Sequence, residues 1–181
     1  MMSSEPGGES KLLQQFRRGL VPTKLGLVHY TAVGGDGCGS GDNDSSNRLL
    51  PIVGFHMSPR SVDEYKEIML ECCNNNRLFV AMDEFGYGCS DNPNKSCTLD
   101  DIADCFVEVL DFLRINTFCV CGSLMGCYIA LSLASRYPQR VKCIVLSNLY
   151  YFQKDARDKA LLKEQEQKRT TQRSTTRSGR C

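Results

Sequence analysis

FCVCGSLMGCYIALSLASRY, residues 118 to 137, runs from a short apolar segment through two glycines into a segment of helical periodicity. In a G-x-S-x-G turn a strand passes sharply into a helix, and the middle side chain stands at the end of the sheet as an exposed nucleophile. Gly122 and Gly126 supply that glycine frame, but the middle residue is Leu124. Leucine has neither a lone pair nor a transferable proton. The segment therefore predicts a strand, a tight turn and a helix without a nucleophile at the turn.

Strands and helices alternate on both sides of this turn. Short apolar runs predict strands at 25–33, 51–57, 78–82, 118–121 and 141–146, and helical periodicity predicts helices at 61–73, 98–113 and 125–137. Thr98 is a predicted N-cap with Asp100 and Asp101 in the first turn, and Ser61 with Glu64 predicts a capping box. This order indicates β-α-β units, hence a doubly wound α/β fold with a mostly parallel sheet.

Composition divides the chain into three parts. Residues 1–24 form a predicted polar and basic extension, which includes an amphipathic stretch at 11–20. Residues 25–152 form the predicted domain, interrupted at 34–48 by a flexible loop whose first residues are GGDGCGSGD. Residues 153–181 carry nine Lys or Arg against four Asp or Glu. We expect this basic tail to be helical and then disordered.

The bulk composition favours an intracellular domain with one core. The net charge of +1 gives no reason to expect specific nucleic-acid binding, and no apolar run is long enough to span a membrane. The N-terminus lacks the apolar region of a leader, so we expect a cytoplasmic protein. The eleven cysteines show no paired zinc spacing, and we expect free thiols, no metal and no cofactor.

Five segments in order resemble the α/β-hydrolase fold family. They are the strand ending at His56, the run DEFGYGCSD at 83–91, the helix start TLDD at 98–101, the turn at 122–126, and YPQRV at 137–141. The resemblance covers about 25–148 and implies a hydrolase-type sheet that stops before the lid and the last strands. Members of the family cleave ester, amide, epoxide or carbon–halogen bonds, and the family includes receptors and inert relatives.

The resemblance also assigns positions to a catalytic site. Leu124 stands at the nucleophile position, and Ser123 directly precedes it. The amide of Met125 and an amide near Met57, after His56, match the family's oxyanion hole.

Neither histidine of the chain, His29 or His56, matches the family's catalytic base, and the segments that carry that base and the catalytic acid in the family have no counterpart here. Asp83 is interpreted as a carboxylate that organises its loop.

The sequence is compatible with three functions. The first is a catalytically incomplete hydrolase relative or a truncated product. The second is a hydrolase of unusual mechanism that uses Ser123, Cys127 or His56. The third is a binding module for a small apolar ligand, or for a protein that covers the sheet edge predicted at 141–146.

Overall fold

The computed structural model describes residues 16–35 and 49–150. Its centre is a six-stranded sheet with the order β1-β2-β4-β3-β5-β6. The strands are β1 (Arg17–Thr23), β2 (Gly26–Val33), β3 (Ile52–Phe55), β4 (Phe79–Met82), β5 (Phe118–Ser123) and β6 (Val141–Ser147). The predicted loop residues 36–48, the N-terminal residues 1–15 and the tail at 153–181 lie outside the described residues.

Pairing in the sheet is mostly parallel, as predicted. Strand β4 pairs in parallel with β3, β3 with β5, and β5 with β6. Strand β2 is antiparallel to both of its neighbours, β1 and β4. One boundary was wrong: Arg17–Thr23, assigned to the N-terminal extension, is strand β1, so the sheet begins at Arg17. The pairing of β1 with β2 outweighs the weak strand pattern of these residues.

Helices cover both faces of the sheet. A 3-10 turn (Val62–Tyr65) leads into α1 (Lys66–Asn74). Val62 and Tyr65 of the turn and Met69 of α1 pack against the strand residues Phe79 and Ala81 in a small hydrophobic core. The larger core holds α2 (Leu99–Phe112) and α3 (Gly126–Arg136) against side chains of the other face. Because successive strand residues point to opposite faces, Val80 and Met82 join this larger core. The arrangement confirms the predicted doubly wound α/β fold.

Helix starts show where local sequence decides the structure and where distant contacts do. Thr98 accepts from the amide of Asp101, whose carboxylate accepts in return from the amide of Thr98, so this capping box is complete. The capping box predicted at Ser61 is not formed as expected. Ser61 accepts from Asp63, while the Glu64 carboxylate accepts from the amide of Met57. Glu64 therefore binds the amide of Met57, in the loop after β3, and not the amide of Ser61, which would be its partner in a capping box.

Strand β6 lies at an edge of the described sheet. Within residues 16–35 and 49–150 it pairs with β5 only. Four consecutive residues of β6 are exposed, and the Val145 side chain is 57% exposed. This matches the apolar edge predicted from the sequence, and such an edge is a site where another strand or helix can pack.

Candidate active site

The predicted turn between β5 and α3 is a close-packed strand-to-helix elbow. A Cβ on Gly122 would lie 2.5 Å from the carbonyl oxygen of Gly126, and a Cβ on Gly126 would lie 2.1 Å from that of Phe55. Real Cβ atoms do not approach oxygen so closely, so both positions require glycine. The two glycines thus bring the helix start against β5 and β3, at the carboxyl ends of the parallel strands.

Leu124 occupies the apex of this elbow. Its φ of 49° lies in the left-handed region, which is costly for a residue with a branched apolar side chain. Its amide donates to the carbonyl oxygen of Ser147 in β6 at 3.0 Å, and its carbonyl accepts from the amide of Cys127 at 3.1 Å. The apex of the turn therefore has a strained, positive-φ backbone, and the residue at that position is leucine.

Ser123 belongs to β5 and not to the apex. Exposure alternates along this strand, and Ser123 lies on the same face as Cys119 and Cys121. Its strand partner is Ser147 of β6. Because Ser123 precedes the apex by one residue, its side chain lies on a face of the sheet and not over the strand ends.

Cys127 is buried in the first turn of α3. Its thiol lies 3.2 Å from the carbonyl oxygen of Gly122 and 3.3 Å from that of Ser147. Burial raises the pKa of the Cys127 thiol despite hydrogen bonding by neighbouring backbone groups. Because a buried thiol with a raised pKa is a poor nucleophile, the geometry gives Cys127 a structural role.

His56, the first of the residues predicted for an oxyanion loop, is fully buried, and both of its ring nitrogens form hydrogen bonds. The amide of Glu84 donates to Nε2 at 3.0 Å, which leaves Nδ1 to donate to the carbonyl oxygen of Met57 at 3.0 Å. This pair of bonds fixes one tautomer. The lone pair that a general base would use is occupied by a backbone amide.

Met57, the second residue predicted for an oxyanion loop, has its amide paired with a carboxylate. Glu64 Oε2 accepts from this amide at 2.9 Å. An oxyanion hole needs donors that are available to a developing negative charge. Here the donor already binds an acidic side chain, so the charge of Glu64 opposes an anion at this position.

A second acidic side chain, Glu84, is buried beside the same loop. Ser58 donates its hydroxyl to Glu84 Oε2 at 2.7 Å, while Glu84 Oε1 is buried and has no hydrogen-bond partner among the described residues. Burial raises the pKa of Glu84, and the nearby Glu64 raises it further, against the lowering effects of Ser58 and His56. Glu64 and Glu84 were not predicted as site residues, because their placement depends on contacts between separate segments.

Asp83 has the loop-organising role that the sequence indicated. Its carboxylate accepts from the amide of Val62 at 2.7 Å, from the amide of Cys89 at 2.9 Å and from His29 Nδ1 at 2.8 Å. Burial alone would raise the pKa of Asp83, but these three donors hold it below its usual value. Gly88, with φ of 54°, passes so close that a Cβ would lie 2.1 Å from the carboxylate.

The chain belongs to the α/β-hydrolase fold family, whose model matches residues 51–173. "Probable lysophospholipase BODYGUARD 1" of Arabidopsis thaliana is 33% identical over 108 residues, which make up 58% of this chain and 23% of that protein. "2-hydroxymuconate semialdehyde hydrolase" of Pseudomonas sp. (strain CF600) is 34% identical over 101 residues, 54% of this chain and 35% of that protein.

Solved structures share the same fold. The epoxide hydrolase VrEH1 of Vigna radiata superposes with a TM-score of 0.65 at 16% identity, over 77% of this chain and 40% of that one. Cfl2 of Burkholderia cenocepacia gives a TM-score of 0.61 at 22% identity, over 73% of this chain and 41% of that one. The chain thus spans less than half the length of the relatives it matches. No helix within residues 16–35 and 49–150 is long and apolar enough to cross a membrane.

Proposed function

We propose that this chain is a catalytically incomplete member of the α/β-hydrolase fold family. The observation that carries the proposal is Leu124 at the apex of the elbow, in the positive-φ conformation that a nucleophile turn requires. An apolar side chain at this position can neither attack a carbonyl carbon nor hold an acyl intermediate. The backbone geometry of the family is kept while the reactive atom is missing.

The oxyanion loop supports the same proposal. The amide of Met57 is paired with Glu64, and the buried Glu84 lies beside the next residue, Ser58. A tetrahedral intermediate carries a negative charge, so two acidic side chains at this loop oppose its formation. This obstacle is independent of Leu124, since replacing the leucine leaves the acidic side chains in place.

The two histidines add a third argument. His56 has both ring nitrogens hydrogen-bonded. His29 lies in β2, where Asp83 binds its ring, and β2 is not adjacent to the elbow strand β5 in the sheet. Neither histidine matches the family's base, so no imidazole of the chain is assigned to activate a serine or a water molecule at the elbow.

Hydrolysis of p-nitrophenyl acetate and p-nitrophenyl butyrate by the full chain tests the proposal. We expect a rate equal to that of Ser123→Ala and Cys127→Ala variants, and equal to that of an unrelated protein at the same concentration. A saturable rate that is lost in either variant would favour the alternative of an unusual hydrolase mechanism. Turnover of a lysophospholipid, the substrate class suggested by one relative's name, is measured in parallel.

A second candidate function is the binding of a small apolar ligand at the elbow. Leu124 is half-buried, and the neighbouring Met125 side chain is 45% exposed at the carboxyl ends of the parallel strands, where open α/β sheets bind their ligands. A fluorescent fatty-acid analogue titrated into the full chain tests this function. The control is Ile68→Ser, which removes an exposed apolar side chain of α1, away from the elbow. Binding that Met125→Ser weakens and Ile68→Ser leaves unchanged supports the function, and equal binding by both variants contradicts it.

A further inference from the structure

Three side chains that the proposed function does not use meet beside the loop after β4. They are His29 of β2, Asp83 at the end of β4, and Cys89 in the loop. A ring nitrogen of His29, a carboxylate oxygen of Asp83 and Sγ of Cys89 all lie within 4.8 Å of one another. His29 and Asp83 are buried, and Cys89 is exposed. The sequence did not predict this cluster, because His29 lies 54 residues from Asp83 along the chain.

We propose that His29, Asp83 and Cys89 form a binding site for a thiophilic divalent cation of the zinc type. One imidazole nitrogen, one carboxylate oxygen and one thiolate sulfur are a donor set that Zn²⁺ accepts, with a fourth tetrahedral position for water. Donors around Zn²⁺ lie roughly 3.5 Å from one another, given metal–ligand distances of about 2.0–2.3 Å. To bind Zn²⁺, Sγ of Cys89 must therefore approach the other two donors, while His29 Nδ1 and Asp83 Oδ2, which are 2.8 Å apart in a hydrogen bond, must separate by roughly 0.7 Å.

The buried donors of this site are held in place before any ion binds. The amide of Val62 donates to Asp83 Oδ1 at 2.7 Å, and the amide of Cys89 donates to Asp83 Oδ2 at 2.9 Å. His29 Nδ1 lies 2.8 Å from Asp83 Oδ2. A cation bound between these two atoms replaces the proton that they share, while the two backbone amides keep the carboxylate oriented.

The loop that carries Cys89 is fixed on both sides of that residue. Gly88 passes directly over the Asp83 carboxylate, at a distance that only glycine allows. Ser90 donates its hydroxyl to the carbonyl oxygen of Asp83 at 2.8 Å and accepts from the amide of His29 at 2.9 Å. The amide of Asp91 donates to the carbonyl oxygen of Leu27 at 2.9 Å.

This anchoring holds the Cys89 thiol near two buried donors, and its exposure gives an ion a path from solvent. The thiol loses its proton to solvent when it becomes a ligand. The inference is independent of the elbow and of Leu124, because the site contains no residue of β5 or α3.

Metal titration of the full chain tests the site. Reduced protein is titrated with Co²⁺, which reports a thiolate ligand by a sulfur-to-metal charge-transfer absorption, and with Zn²⁺ against a chromophoric chelator. We expect one tight site per chain whose charge-transfer band disappears in Cys89→Ser, with at least tenfold weaker Zn²⁺ binding. Cys89 is exposed, so this variant is expected to keep the fold.

A matched control tests whether the loss of any exposed thiol has the same effect as the loss of Cys89. Cys143 in β6 is also exposed, and Cys143→Ser is expected to bind Co²⁺ and Zn²⁺ as the unaltered chain does. Alkylation of Cys89 by iodoacetamide, followed by mass spectrometry, should be slowed by Zn²⁺. The proposal is overturned if Cys89→Ser keeps the charge-transfer band, if Cys143→Ser loses it, or if the unaltered chain binds neither ion at micromolar concentration.

Discussion

The backbone amide of Met57 donates a 2.9 Å hydrogen bond to the carboxylate of Glu64. In a hydrolase of this fold the corresponding loop supplies an amide to the negatively charged oxygen of the reaction intermediate. Here an acidic side chain from the turn before α1 takes that amide. The proposed loss of catalysis therefore rests on two features, leucine at position 124 and an occupied donor at Met57, which lie on separate segments of the chain.

The first prediction concerns restoration of the nucleophile. Leu124→Ser alone, and Leu124→Ser combined with Glu64→Gln, should hydrolyse p-nitrophenyl acetate no faster than Ser123→Ala. The reason is that no histidine is assigned to deprotonate the new hydroxyl, even where the Met57 amide carries a neutral partner. Steady-state rates measured from pH 6 to pH 9 check this. Saturable turnover by the single Leu124→Ser variant would show that another group of the chain acts as the base.

The second prediction tests the bond between Met57 and Glu64. Glu64→Ala leaves a partly buried amide without its acceptor, which should lower the free energy of unfolding by about 1–2 kcal/mol. Urea denaturation followed by circular dichroism measures this change. Glu67 is an exposed glutamate of α1, and Glu67→Ala should change stability by less than about 0.5 kcal/mol. Equal effects of the two substitutions would mean that the Met57–Glu64 bond contributes nothing.

The third prediction concerns Asp83. The Asp83 carboxylate accepts from three N–H donors, those of Val62, Cys89 and His29. Asp83→Asn replaces one acceptor oxygen by an N–H₂ group, so that donor faces donor. We expect a loss of about 3 kcal/mol in the free energy of unfolding, measured by urea denaturation. The control is Asp111→Asn, which breaks an exposed ion pair with Arg140 and should cost less than about 1 kcal/mol.

The pH dependence of Asp83 follows from its lowered pKa. Its stabilising effect is present above the pKa of the unfolded carboxyl and is lost as the pH falls through the lower pKa of the folded state. The stability difference between the unaltered chain and Asp83→Asn should therefore shrink on acidification below about pH 4. A difference that stays constant down to about pH 2 would contradict the assignment of a lowered pKa.

The fourth prediction concerns Glu84, whose pKa is raised by burial and by Glu64. A raised pKa in the folded state means that the folded chain binds a proton more tightly than the unfolded chain. Stability from this group is therefore present at low pH and is lost as the pH rises through the raised value. Glu84→Gln keeps an acceptor for Ser58 and removes the charge, so it should stabilise the chain more at pH 8 than at pH 5. Melting curves at both pH values, with Glu67→Gln as the exposed control, measure this; parallel curves would contradict the prediction.

The fifth prediction tests the elbow itself. Gly126→Ala places a Cβ about 2.1 Å from the carbonyl oxygen of Phe55, so β3 and α3 must separate. We expect a loss of about 2–3 kcal/mol in the free energy of unfolding. Ser135→Ala, at an exposed position of the same helix, should change stability by less than about 0.5 kcal/mol. A fully stable Gly126→Ala variant would mean that the close approach of β3 and α3 is not required.

Much of the fold could be predicted because the signals are local. Apolar periodicity indicated five of the strands and the three helices, and the glycine frame at 122–126 indicated the elbow. Strand β1 was missed because RRGLVPT contains glycine, proline and two arginines, which weaken its alternation. Its strand conformation follows from pairing with β2, which is a contact between segments and not a property of the stretch alone.

The site could be predicted only in outline. Leu124 followed from the motif, but the partner of Glu64 did not, because the same S-x-x-E pattern is typical of a helix cap. The burial of Glu84 and the meeting of His29 with Cys89 depend on how the loop after β4 folds over Asp83. A glycine at 88, close to an aspartate that ends a strand, is a local signal that could have indicated this folded loop.

The most direct test of the central claim is intact-mass spectrometry of the full chain after incubation with a fluorophosphonate, which forms a covalent adduct with activated serines. We predict no adduct, in the unaltered chain or in Ser123→Ala, because Leu124 occupies the nucleophile position. One adduct per chain, mapped to Ser123 and absent from Ser123→Ala, would contradict the claim and would show that the elbow holds a working nucleophile.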